Sequence, residues 1–197
     1  MKKALLLPLF VFASLFVFAG GNIVLKPNIG IGITKFSENI EGVKNEATLG
    51  TEFGVDLLIG RKFYFQTGLR YVKDSYKVSG SINNLNDFKT KVHNIGIKVP
   101  MHVGLYLVDV EATNLIKVRI FTGPSFKATT TVNDEGDDFL DKDKYSDITW
   151  GYQVGLGLDI WKIFLDAGYE IGLNEMIKDT SIKSNGAYIT TGFLIRF

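Results

Sequence analysis

Trp150-Gly151-Tyr152-Gln153-Val154-Gly155-Leu156-Gly157-Leu158-Asp159-Ile160 sets a large apolar side chain at every second position, with glycine, glutamine or aspartate between them. A period of two held over about ten residues belongs to a β-strand whose two faces meet different surroundings. After Trp161 and Lys162 the pattern resumes, with Ile163, Leu165, Ala167, Tyr169, Ile171 and Leu173 on one face and Phe164, Asp166, Gly168, Glu170, Gly172 and Asn174 on the other. A last segment carries Ala187, Ile189, Thr191, Phe193, Ile195 and Phe197 on its apolar face. Strands of this length, greasy on one side and polar on the other, are what cross a bilayer in a closed barrel.

Polar clusters divide the rest of the chain into similar pieces. Strands are predicted at 23–36, 47–60, 62–78, 91–107, 116–132, 148–160, 163–174 and 186–197. Eight is an even number, as closure of an antiparallel barrel from one bacterial chain requires. The connections 37–46, 79–90, 133–147 and 175–185 are long and polar, Gly60-Arg61-Lys62 and Trp161-Lys162 are tight, and 108–115 is intermediate. Outer-membrane barrels keep short turns in the periplasm and long loops outside. The fold class predicted is therefore all-β, a closed eight-stranded antiparallel up-and-down transmembrane β-barrel.

The leader and the composition agree with that destination. Lys2 and Lys3, an apolar run from Ala4 to Phe18, and Ala19 before Gly20 form a secretory signal peptide expected at 1–19, leaving a barrel domain at 20–197. The chain has no cysteine, which excludes lipoprotein anchoring and disulfides. Removing the leader takes the formal charge from +1 to about −1, a balance that argues against nucleic acid as a partner. Beyond residue 20 no apolar run is long enough for a spanning helix, although 46% of the residues are hydrophobic and 13% aromatic.

Following the larger apolar residues assigns the faces. The outward face takes, among others, Ile29, Ile31, Ile33, Phe53, Leu69, Ile97, Val103, Ile120 and the alternate residues quoted above. The inward face collects Lys26, Glu52, Asp56, Arg70, Lys98, His102, Arg119, Lys127, Asp159, Asp166, Glu170 and Arg196. An eight-stranded barrel is only wide enough for its own side chains, so these charges are expected to pair and fill the lumen, leaving no open pore. Aromatic girdles are expected at Phe63, Tyr106, Trp161 and Phe197 on the periplasmic side and at Tyr71, Tyr76, Trp150, Tyr152 and Tyr188 on the outer side. Pro100 and Pro124 fall inside strands, where β-bulges are expected.

Two stretches carry a resemblance. His93-Asn94-Ile95-Gly96-Ile97-Lys98-Val99-Pro100-Met101 and Phe121-Thr122-Gly123-Pro124-Ser125 resemble the fourth and fifth strands of the PorT-like group of small outer-membrane β-barrel proteins. Gly155 to Ile160 with Phe164 to Tyr169 is similar to the group's sixth and seventh strands. The resemblance implies that both prolines are family features, and that Phe193, Ile195 and Phe197 form the signal read by the barrel-assembly machinery. It speaks to architecture more than to activity; one branch of the group is associated with a protein-secretion system.

No residue pattern demands chemistry. His93 and His102 are the two histidines, and neither has a hydroxyl and an acid fixed beside it by spacing. The acidic loop 133–147 (Asp134, Glu135, Asp137, Asp138, Asp141, Asp143, Asp147) lacks the ligand spacing of an EF-hand. Gly30-Ile31-Gly32 and Gly155-Leu156-Gly157 lack the third glycine of a dinucleotide fingerprint. The expectation is a non-enzymatic protein of the outer membrane of a Gram-negative bacterium, with no cofactor and no catalytic or metal site. Its partners would be outer-membrane lipid, the assembly machinery and a protein met through the outer loops. Two alternatives remain open: a soluble periplasmic lipocalin-like barrel holding a small apolar ligand, with the faces reversed, and a lipid-modifying barrel enzyme.

Overall fold

The computed structural model describes residues 22–36, 43–46, 48–82, 86–109, 116–134, 148–174 and 183–197. The expected signal peptide and its cleavage point lie outside that set, as does the acidic loop from Glu135 to Asp147. Ten ladder segments are present: β1 (Asn22–Phe36), β2 (Val43–Glu46), β3 (Thr48–Gly60), β4 (Phe63–Ile82), β5 (Asn86–Asp109), β6 (Ile116–Asp134), β7 (Ile148–Ile160), β8 (Ile163–Gly172), β9 (Ser184–Phe193) and β10 (Ile195–Arg196). Both β2 and β3 pair with β4, and both β9 and β10 pair with β1, so each couple is one interrupted stave and the barrel has eight.

Every stave is antiparallel to its sequence neighbour. The sheet closes where β1 meets β9 from Asn28↔Gly192 to Phe36↔Ser184, and β10 at Val24↔Arg196. Closure removes the free edges that would otherwise invite further pairing. Among the described residues no helix is long and apolar enough to cross a membrane. Only the strands could do so.

The period-two pattern maps onto the wall as expected. Leu156 is 60% exposed on the outside and Asp166 is 1% exposed within. Ile29, Leu49, Phe53, Leu69, Val103, Val154 and Phe193 share the outer surface, whereas Lys26, Asp56, Arg70, Arg119 and Asp159 are buried inside. This is the opposite of the reversed-face barrel that carriage of an apolar ligand would need, and that reading is overturned. A continuous exposed apolar belt of this size marks a surface made for another apolar phase.

Three local expectations change. Pro100 pairs opposite Ser125 with no shift of register, so neither proline creates a bulge. Bridging lapses around them because proline has no N–H to give to the ladder; the β5–β6 register instead shifts between Ile95 and Gly96 and between Tyr106 and Val108. Gly123, with φ of 155°, occupies a conformation open to glycine, and a methyl there would strike the Met101 carbonyl. The third change concerns 79–90, read above as a loop. It is ladder on both sides of residues 83–85, since β4 continues to Ile82 and β5 begins at Asn86.

The Ile160↔Ile163 pair leaves Trp161 and Lys162 as a two-residue hairpin turn. Trp161 takes φ of 54° at the first of these positions, where glycine is normally favoured. The left-handed backbone costs about 1–2 kcal/mol; the exposed indole gains an interfacial position in return. At the closing seam, a methyl on Gly192 would press on the Pro27 carbonyl oxygen. Gly192→Ala is expected to lower stability by about 1–3 kcal/mol; an unchanged urea midpoint for the folded barrel would contradict this close approach.

Candidate functional site

The lumen is where this chain concentrates its polar chemistry, and it is built in layers. At the end marked by the tight turns, Val24, Leu58, Tyr64, Phe164 and Leu194 pack together, with Tyr106 against them. The Tyr64 and Tyr106 ring centroids are 5.2 Å apart. This apolar floor is possible because large side chains lie over glycines of neighbouring strands. A methyl at Gly104 would collide with the Tyr64 ring, one at Gly157 with the Arg119 side chain, and one at Gly168 with the Tyr188 ring.

Charges sit directly on the floor. Lys26 Nζ lies 4.0 Å from the Phe164 ring centroid and donates to Asp166 Oδ2 at 3.0 Å and to Gln66 Oε1 at 3.2 Å. Arg119 is fully buried, donates from Nε to Asp159 Oδ1 at 3.0 Å, and pairs through Nη2 with Asp166. Asp159 also accepts from the Tyr106 hydroxyl at 3.2 Å. Gln66 joins this cluster to the next by donating to Asp56 Oδ2 at 2.9 Å. Arg70 grips Asp56 from Nε at 3.0 Å and reaches Glu52 from Nη1 at 2.8 Å. Guanidinium groups suit such sites because their fixed fork engages two carboxylates at once.

The third layer faces the outer mouth. Lys98 Nζ lies 3.0 Å from Glu170 Oε2 and 3.7 Å from Glu52 Oε2, and the Ser125 hydroxyl donates to Glu170 at 3.1 Å. Gln153 donates to Glu170, while its Oε1 accepts from the Tyr188 hydroxyl at 3.1 Å and lies 2.6 Å from His102 Nε2. An amide oxygen only accepts, so His102 carries its proton on Nε2. Lys127 pairs with Asp74 at the rim. A cavity of about 60 Å³, room for a few waters, is lined by Lys98 and Glu170 at this mouth.

The sequence-predicted residues Glu52, Asp56, Arg70, Lys98, His102, Arg119, Asp159, Asp166 and Glu170 thus lie in one linked interior, with Lys26 and Lys127 beside them. Arg196 does not. It is exposed beyond the apolar floor, donating from Nη1 to the Trp161 carbonyl at 2.6 Å. Asp74 takes a place that sequence reasoning missed, although it shares strand parity with Arg70 and Val72. In the ion pairs of the described lumen residues, six carboxylates (Glu52, Asp56, Asp74, Asp159, Asp166, Glu170) therefore meet five cations (Lys26, Arg70, Lys98, Arg119, Lys127).

Two girdle assignments also move. Tyr106 and Tyr188 belong to the lumen, whereas Phe63, Trp161 and Phe197 at one end and Tyr71, Trp150 and Tyr152 at the other are exposed on the outside. The side chains of Tyr76 and His93 lie outside the described set. Phe193, Ile195 and Phe197 are exposed on the outward face. Among the described residues no three His, Cys, Asp or Glu side chains converge where a metal ion could be held. The partner of His102 is an amide and the partner of Ser125 a carboxylate, so the hydroxyl–imidazole–acid order of a hydrolase is not assembled among them.

What this geometry can do is hold a barrel rigid and shut. Each buried ion has a partner of opposite sign, so the desolvation cost of the interior is offset only while the set is complete. The fold is similar to that of the outer membrane protein OprG from Pseudomonas aeruginosa, at a TM-score of 0.53 and 12% identity, over 90% of this chain and 96% of that one. Neisserial surface protein A (TM-score 0.48, 14% identity, 89% and 97% coverage) and Ail, the attachment invasion locus protein of Yersinia pestis (0.46, 10%, 88% and 99%), overlap more loosely. No curated protein matches the chain in sequence. The profile of the family described as outer membrane protein beta-barrel domain matches residues 18–178, most of the length, and the chain belongs to that family.

Proposed function

We propose that this outer-membrane protein is a PorT-like, non-catalytic barrel whose sealed wall serves as a rigid mount for a working surface at its outer end. The observation that carries this reading is the filled lumen, with side chains packed from the Tyr64–Tyr106 floor to the Lys98–Glu170 pair. A lumen so occupied offers no route for a solute, and loops on a rigid scaffold are where binding is usually placed. The PorT-like assignment is supported by the segments around Pro100 and Gly123-Pro124, which lie in the paired strands β5 and β6. Partners in this reading are the lipid around the belt, the assembly machinery that reads Phe193, Ile195 and Phe197, and a protein met above the membrane.

The purified barrel in a planar bilayer is expected to give no stepwise conductance in concentrated KCl. Discrete, ohmic steps from the folded monomer would contradict a sealed lumen. Truncating the plug by Arg70→Ala together with Arg119→Ala is expected to admit water to the lumen and to produce brief openings, provided the double variant still folds.

A further inference from the structure

The rim at the tight-turn end of the barrel is basic. Arg61 and Lys62 form one turn, Trp161 and Lys162 the other, and Arg196 lies in β10; all five side chains are exposed. Among the described side chains the acids nearest this end, Asp56, Asp159 and Asp166, are enclosed in the lumen. The α-carboxylate of Phe197 is then the exposed anion set against four cations.

Backbone contacts gather three of these groups into one cluster. The Leu194 N–H donates to the Lys162 carbonyl at 2.8 Å and Arg196 Nη1 to the Trp161 carbonyl at 2.6 Å, so β10 lies against the β7–β8 turn. Lys162 Nζ stands 5.1 Å from the centroid of the Trp161 ring. An indole that is 61% exposed is therefore flanked by an ammonium and a guanidinium. Among the described residues neither cation has an acidic partner. Arg61 and Lys62 lie two staves further round the rim, about 10 Å away, because β10 pairs with β1 and β1 with β3. They add to the positive field of the cluster.

The turn is not the one that backbone geometry alone would select. Glycine suits the first position of such a hairpin turn, yet Trp161 holds φ of 54° there. Strain of this kind persists where the surroundings enforce it, and it gathers at functional sites. Here it fixes an aromatic face beside two unpaired cations.

Height and charge select the ligand. Ile160, Ile163, Phe193 and Ile195 are exposed around the cluster and belong to the apolar belt. Lys162 and Arg196 lie one residue beyond Ile163 and Ile195, about 2–3 Å of height at a tilt of ~40°. Their charged ends reach into the headgroup layer, which is about 5–8 Å deep in each leaflet. A soluble partner enters that layer only by displacing lipid. A phosphodiester without an ammonium complements two cations, whereas a zwitterionic headgroup brings a competing positive charge.

We propose that Trp161, Lys162 and Arg196 form a binding site for the phosphate of an anionic glycerophospholipid in the leaflet that meets the tight turns. The Lys162 ammonium and the guanidinium N–H groups of Arg196 that do not engage Trp161 take the phosphate oxygens. The indole lies against the glycerol, and Ile163 and Phe193 meet the upper acyl chains. Basic groups beside a membrane-spanning element recognise anionic headgroups, and tryptophan favours the same layer. The site lies outside the lumen and goes beyond the sealed-barrel reading.

The test is lipid retention by the full folded chain in micelles, read by native mass spectrometry. The probes are phosphatidylglycerol, phosphatidylethanolamine with the same acyl chains, glycerophosphoglycerol as the free headgroup, and a glutamate-rich peptide. Phosphatidylglycerol is expected to bind best, and Lys162→Gln with Arg196→Gln to weaken it about 30-fold. Glutamine at 196 keeps an N–H for the Trp161 carbonyl, so the turn retains its tie to β10. Lys73→Gln, exposed at the opposite end of the wall, is expected to change nothing. Equal retention of phosphatidylethanolamine, unchanged binding by the double variant, or an equal loss in Lys73→Gln overturns the proposal. So does the free headgroup or the acidic peptide binding as tightly with the same dependence on Lys162 and Arg196. Faster migration of each unboiled variant confirms that it is folded, so failure of the barrel reading and failure of this site are told apart.

Discussion

An Asp166→Ala protein is expected to lose about 3–5 kcal/mol of folding stability, the cost of stripping one partner from a buried ion cluster. Asp166 accepts from Lys26 and pairs with Arg119, and all three side chains are almost wholly enclosed. Removing the carboxylate leaves two cations on an aromatic floor, with Asp159, the Gln66 amide oxygen and the Tyr64 hydroxyl as the partners that remain. Lys26, whose other hydrogen bond is to Gln66, loses the most. The paired change Asp166→Leu with Lys26→Met removes both signs together and is expected to recover more than half of that loss, since an apolar pair of similar volume avoids the desolvation altogether. Urea unfolding followed by the gel shift of the unboiled barrel measures both. If Asp166→Ala unfolded like wild type, the interior would be hydrated enough to dismiss the cluster as a structural element.

The complementary change lies on the other face of the same wall. Leu156 is paired with Ala167 and Ile120, stands between the exposed Trp150 and Trp161 of its own hairpin, and projects outward. Leu156→Arg is expected to cost about 2–4 kcal/mol in a bilayer, because an arginine at the middle of the apolar belt meets hydrocarbon. The penalty should fall towards zero for Ile171→Arg, close to the outer interface. A depth-dependent cost of this kind has no counterpart in a soluble barrel, where an exposed leucine changed to arginine is nearly neutral. Folding titrations in vesicles give the two values directly.

Period-two alternation was enough to read the eight staves and both faces, because each environment acts on every second residue and the pattern averages over a whole strand. Alternation does not report height. Arg196 has the lumen's parity but sits beyond the apolar floor, in reach of the Trp161 carbonyl rather than of any acid. Tyr106 and Tyr188 were assigned to the girdles for being aromatic. Their parity, shared with His102 and Gly104 and with Thr190 and Gly192, already placed them inside. Gln66 and Gln153 escaped notice because they carry no charge, yet they join the ion clusters to one another and to His102.

The stretch 79–90 was misread for a related reason. Its lysines and serines look like loop composition, but residues 79–82 and 86–90 belong to the ladder. A search for greasy outward positions stops at Ile95 and Tyr71, where the apolar belt stops. The strands do not stop there, since hydrogen-bonded pairing between β4 and β5 depends on the backbone and continues to Ile82↔Asn86. The prolines were expected to make bulges because a closed barrel has no free edge. Pairing lapses locally instead, and register is held by the long ladders on either side.

The central claim is that isoleucines, leucines and aromatics meet lipid while the ion network is enclosed. Nitroxide labels placed one at a time from Val154 to Leu158, with the protein folded in vesicles, test it through collision rates with oxygen and with an aqueous nickel chelate. At 154, 156 and 158 oxygen collisions should be high and chelate collisions absent, and at 155 and 157 both should be low. High chelate access at 156, with no alternation between odd and even positions, would contradict it.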